Sequence, residues 1–138
     1  GGGEAVNVKR DANEAEIVAA LVAAGASVTR LAPSGRSDDA GVPDLLVGYK
    51  AVTLLLEIKL PLRKGGTERR KGGGQTGGAG ALTAAQAAWW AKWHGAPAIV
   101  VRTELEALAQ LERVDRMMAS WARSQVRSAP ADLGDVPR

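Results

Sequence analysis

The chain has 138 residues, 46% apolar, 24% charged and 4% aromatic, which is the size and balance of one globular domain. It has no cysteine and a single histidine, His94, so disulfides, iron–sulfur clusters and a conventional zinc site are excluded, and histidine catalysis is limited to that one side chain. The net charge of +3 is concentrated: residues 63–80 (RKGGTERRKGGGQTGGAG) carry Arg63, Lys64, Arg69, Arg70 and Lys71 against Glu68, and the remainder is close to neutral.

With Gly1–Gly3 set aside as a frayed start, the segment DANEAEIVAALVAA predicts a helix over 11–24, capped by Asp11 or Asn13 and stopped at Gly25. Its apolar stripe is Ile17, Val18, Leu21 and Val22; Glu14 shares that stripe, whereas Glu16 lies among alanines. A short strand is expected at 26–31 and a turn-rich loop at 33–41. Two strands, 44–48 and 52–60, follow around a three-residue turn at Tyr49, Lys50 and Ala51, which makes them antiparallel neighbours.

After the basic loop, 82–94 reads as a helix capped by Thr83, with Trp89, Trp90 and Trp93 as packing anchors. Residues 97–102 read as a buried strand. The region 104–126 reads as a helix with Leu105, Leu108, Leu111, Val114, Met118 and Trp121 at spacings of three and four. This order predicts an α/β fold with a central sheet flanked by helices: one domain over 4–127, including a flexible loop at 63–80, and a loosely held tail at 128–138. No apolar run approaches the ~18 residues of a membrane span and no secretory leader is evident, so a soluble, cytoplasmic protein without membrane partners is expected. The basic loop suits a polyanion partner; a solvated linker is the ordinary alternative.

The strand VTLLLEIKL concentrates the chemistry. Side chains alternate faces along a strand, so Glu57 and Lys59 share the face of Thr53 and Leu55, opposite Leu54, Leu56, Ile58 and Leu60. Charges in so apolar a strand must be compensated, by pairing with each other or by a metal ion with a positioned lysine. Antiparallel pairing also brings Asp44, at the entrance of the first strand, close to Glu57. Two juxtaposed carboxylates repel unless a cation lies between them, and with oxygen ligands alone that cation is expected to be Mg²⁺, with Mn²⁺ as a substitute. Glu14 is a third acid directed at the sheet, although an acid in a first helical turn also has a simpler explanation in the helix dipole.

Pro43–Asp44 followed by Glu57–Ile58–Lys59 resembles the motif of the PD-(D/E)XK nuclease superfamily, with Glu14 on the preceding helix and Gln86 on the following one in similar places. Residues 14–35 resemble archaeal-type Holliday-junction resolvases, and the stretch from Leu82 onward resembles VRR-NUC nucleases of phages and bacteria. The resemblance implies a restriction-endonuclease-like αβββαβ core, a mixed sheet with a C-terminal helix. It also implies metal-dependent hydrolysis of DNA by Glu14, Asp44, Glu57, Lys59 and Gln86, with Glu14, Asp44, Glu57 and the Ile58 carbonyl as metal ligands. Arg30, Ser34, Arg36 and the five basic residues of the loop are the expected DNA contacts. A homodimer resolving four-way junctions by symmetric cuts is the leading reading. A phage-encoded nuclease for flaps, ends or duplexes, and a DNA-binding module that does not cut, are its rivals.

Overall fold

In the computed structural model the elements follow in the order α1 (Gly2–Ala23), β1 (Ser27–Arg30), β2 (Leu45–Tyr49), β3 (Val52–Ile58), α2 (Ala84–Lys92), β4 (Ala98–Val101) and α3 (Glu104–Ser128). The structure describes residues 2–31, 40–62 and 82–128. Ser34, Arg36, Arg63, Lys64, Arg69, Arg70 and Lys71, which the sequence offers as DNA contacts, lie outside the described residues, as does the chain from 129 onward.

The sheet order is β1-β2-β3-β4, antiparallel across the first two pairs and parallel between β3 and β4. A parallel pair needs a crossover connection, and α2 lies in it. The fold is therefore the expected α/β type, a mixed sheet flanked by helices and closed by a C-terminal helix. Ile17 and Leu21 of α1, Leu45 and Val47 of β2, Leu54, Leu56 and Ile58 of β3, Val101 of β4 and Ala107, Leu111 and Val114 of α3 form the core. In β3 the run Leu54–Ile58 is buried on both faces, which is why the strand reads as nearly continuous apolar sequence.

Four local expectations are corrected. The first helix begins at Gly2, so neither Asp11 nor Asn13 caps it; no proline or interior glycine interrupts EAVNVKR, and the Asn13 amide is used elsewhere. The hairpin turn has two residues, Lys50 and Ala51, because Tyr49 pairs with Val52. Both turn residues have positive φ (49° and 67°), the combination whose twist suits a two-residue hairpin.

The tryptophans of α2 do not enter the core. The helix ends at Lys92 and buries none of its residues, Trp93 is 41% exposed, and Trp89 stacks on Trp93 with ring centroids 4.8 Å apart. In α3 the buried stripe runs through Ala107, Leu111 and Val114, whereas Leu105 and Trp121 are exposed. Leu105 is two positions from Ala107, about 200° around the helix, and so faces away from the sheet.

Candidate functional site

The site forms where β2 begins, β3 ends and α2 starts. Leu45 pairs with Leu56, so the register carries Asp44 opposite Glu57. Asp44 is fixed from both sides: its carbonyl accepts from the Leu31 N–H at 2.8 Å, and its Oδ2 accepts from the Ile58 N–H at 2.7 Å. Pro43, fully buried, holds the approach to it. Gly41, with φ of +92°, lets that loop pass under α2, because a Cβ there would stand 2.3 Å from the Ala85 carbonyl oxygen.

Glu57 is 1% exposed. Its Oε2 accepts from Gln86 Nε2 at 3.0 Å and lies 3.8 Å from Lys59 Nζ, while its buried Oε1 has no hydrogen-bond partner among the described residues. Lys59 Nζ donates to Gln86 Oε1 at 2.8 Å. Gln86 thus bridges the two charged groups. Burial first, and then the neighbouring Asp44 carboxylate, push the Glu57 carboxyl up to about 8. Burial also holds the Lys59 ammonium below its ordinary value, against the opposing pull of Glu57.

A buried carboxyl oxygen without a partner, beside a second carboxylate, is the donor set of a hard divalent cation. In an extended strand the N–H and C=O of one residue point to the same neighbour. The Ile58 carbonyl therefore points to the side from which its N–H reaches Asp44, and Asp44, Glu57 and Ile58 are the groups that would hold such an ion.

Glu14 does not join them: among the described residues, no group of three or more acids or histidines is close enough to hold a metal. The expected convergence of three acids is therefore corrected to a pair. Glu14 Oε2 instead accepts from Arg30 Nε at 2.9 Å. The helix directs Glu14 at the sheet, as its stripe predicts, but β1 meets it with an arginine.

The sequence reading missed three side chains around this centre. Asn13 Nδ2 donates to the carbonyls of Lys59 and Arg102, both at 3.2 Å, tying α1 to the ends of β3 and β4. Its place four residues before Ile17, on the inward side of α1, was the available signal. Arg102, 7% exposed, donates from a terminal nitrogen to the Leu60 carbonyl at 2.9 Å, and its N–H donates to Glu106 Oε1. Arg10, one turn before Glu14, acts through space on both Glu57 and Lys59 and lowers each.

Residues 5–65 match the family model of the archaeal Holliday junction resolvase, Hjc. The resolvase match spans Glu14, Asp44, Glu57 and Lys59, four of the residues on which the likeness to the PD-(D/E)XK nucleases rests, and Arg30. It ends before Gln86 and before the stretch resembling VRR-NUC nucleases, a likeness that no comparison bears out. The match covers less than half of the chain and stands as a likeness to that family. No helix among the described residues is long and apolar enough to cross a membrane. No curated protein and no solved structure matches the chain.

Proposed function

We propose that the chain is a divalent-cation-dependent endonuclease that resolves four-way DNA junctions by paired, symmetric cuts. The buried Glu57 carboxyl, with one oxygen unpartnered among the described residues next to Asp44, carries this reading. A pure DNA-binding module gains nothing from placing two carboxylates where phosphates approach. Asp44, Glu57 and the Ile58 carbonyl would hold Mg²⁺, with Mn²⁺ able to substitute. When bound, such an ion polarises a phosphate oxygen and lowers the pKa of attacking water.

The chain's own groups do the rest. Glu57, whose carboxyl burial holds up to about 8 in the metal-free chain, would serve as a ligand in its ionised form. Lys59, pinned by Gln86, offsets charge as it develops on the phosphate. Among the described residues Arg30 bonds Glu14 through its Nε, which would let its terminal nitrogens take a DNA phosphate, with Glu14 aiming that guanidinium. Ser34, Arg36 and the basic residues from Arg63 to Lys71 would extend the contact along the DNA backbone. Two cuts related by symmetry require two sites, hence a homodimer, for which the exposed Met117 and Trp121 of α3 offer apolar surface.

The test is to incubate the protein with a labelled four-way junction, a flap and a linear duplex in Mg²⁺ or EDTA, with the molecular mass measured in parallel. Symmetric nicks on the junction alone, Mg²⁺-dependent and made by a dimer, are expected. Cutting of flaps or duplexes as fast as the junction would favour a replication or restriction role, and no cutting at all would leave a binding module. Asp44→Asn should lower cleavage at least about a hundredfold while junction affinity stays within a few-fold; full activity in that variant would remove Asp44 from the centre.

A further inference from the structure

We infer that Thr83 is a positioning residue for the hydrolytic centre, because the hydrogen bonds that cap α2 are the ones that aim Gln86 at Glu57 and Lys59. The inference rests on the nuclease reading for its consequence, but on local geometry for its content. Thr83 is the N-cap of α2, with φ −70° and ψ 169°, and forms a capping box with Gln86. Its hydroxyl accepts from the Gln86 N–H at 3.2 Å, and its own N–H donates to Gln86 Oε1 at 2.9 Å. The residue before it, Leu82, is buried, which anchors the cap to the body.

A capping-box glutamine ordinarily spends its side chain on the N-cap N–H alone. Here the same amide continues to the centre. Its Oε1 accepts a second donor, Lys59 Nζ at 2.8 Å, and its Nε2 donates to Glu57 Oε2 at 3.0 Å. Both lone pairs of the oxygen are then occupied by donors, one of them cationic. A flipped amide would turn its NH₂ group onto an N–H and an ammonium, so only one orientation satisfies all three partners.

Thr83 therefore decides more than where α2 begins. It holds the main chain of Gln86 at one end and the side-chain oxygen at the other, which leaves the amide one direction in which to reach β3. The hydroxyl is what the Thr83 side chain itself supplies: without it the Gln86 N–H is uncapped and the first turn of α2 is looser, so the amide, still met by the N–H of residue 83, bridges Lys59 and Glu57 from a less fixed main chain.

The test compares wild type, Thr83→Ala and Thr83→Ser with junction DNA and Mg²⁺, well below the melting temperature of each. Thr83→Ala is expected to lower kcat about tenfold with KM changed less than twofold, and Thr83→Ser to restore kcat, because serine caps equally well. A lower melting temperature with unchanged kcat would make Thr83 a helix cap only and overturn the proposal, as would a failure of Thr83→Ser to recover. The ¹⁵N-resolved side-chain amide of Gln86 supplies a readout independent of cleavage. It should be motionally restricted in the wild type and in Thr83→Ser, and measurably more mobile in Thr83→Ala, where the N–H of residue 83 still reaches Oε1 but the first turn is uncapped. If the wild type cuts no DNA, the nuclease reading falls, and the amide signal still decides: equal restriction in all three proteins would overturn the positioning role.

Discussion

At Glu57, burial and the adjacent Asp44 carboxylate lift the carboxyl from the ordinary 4.5 to about 8. Between those values the folded, metal-free chain holds a proton there that the unfolded chain releases. Stability from this group is therefore fully present below about 4.5 and is lost as pH rises through about 8. Lys59, held below 10.5, gives the opposite slope in a window that ends at that value. Metal-free thermal melts from pH 5 to 8.5 should show the wild type losing stability by up to a few kcal/mol, because one proton held per molecule across a pH unit is worth about 1.4 kcal/mol. Glu57→Gln should flatten that dependence and melt above the wild type at pH 8.5, and on the proposed function it is expected to lose cleavage. Parallel pH profiles for the two proteins would contradict the assignment. The shared face of Glu57 and Lys59 was legible from strand alternation alone. The partner of Glu14 was not, because the stripe of a helix states which way an acid points and not what β1 presents to it.

Among the elements, the β2–β3 hairpin shows most plainly where local sequence falls short. Its strands are evident in DLLVG and VTLLLEIKL, but neither Lys50 nor Ala51 is a residue that ordinarily marks a left-handed turn. Tertiary contacts impose the conformation: Lys50 Nζ reaches Asp115 Oδ1 of α3 at 2.5 Å, and the Tyr49 hydroxyl donates to the same oxygen at 3.0 Å. The strain is carried by Ala51, whose Cβ disfavours φ of 67°. Ala51→Gly should therefore stabilise the fold by about 1 kcal/mol and raise Tm by several degrees; an unchanged or lower Tm would show that the turn is not strained. The displacement of the α3 stripe to Ala107 has a related cause. Helical spacing alone admits Leu105 and Ala107 equally, and only the position of β4 selects between them. In α2, a helix of nine residues at the margin of the sheet leaves its tryptophans half covered.

For the molecule as a whole, the site is assembled by topology rather than by any one segment. Antiparallel register brings Asp44 to Glu57, the β3–α2–β4 crossover lowers Gln86 onto both charged groups, and Asn13 ties α1 to the strand ends from which Lys59 emerges. The first of these was readable from two short strands and the turn between them. The second was visible only as a glutamine in a helical first turn, and the third depended on coordinates, because nothing in a helical asparagine states that it spans two carbonyls. Joint binding of a divalent cation by Asp44 and Glu57 is open to direct measurement. It is tested most directly by titrating Mn²⁺ into the protein at pH 7, with binding followed by electron paramagnetic resonance and released protons by pH-stat. A saturable site is expected that releases close to one proton as Glu57 ionises, and that is lost in Asp44→Asn. Absence of binding, or binding in Asp44→Asn as tight as in the wild type, would contradict it.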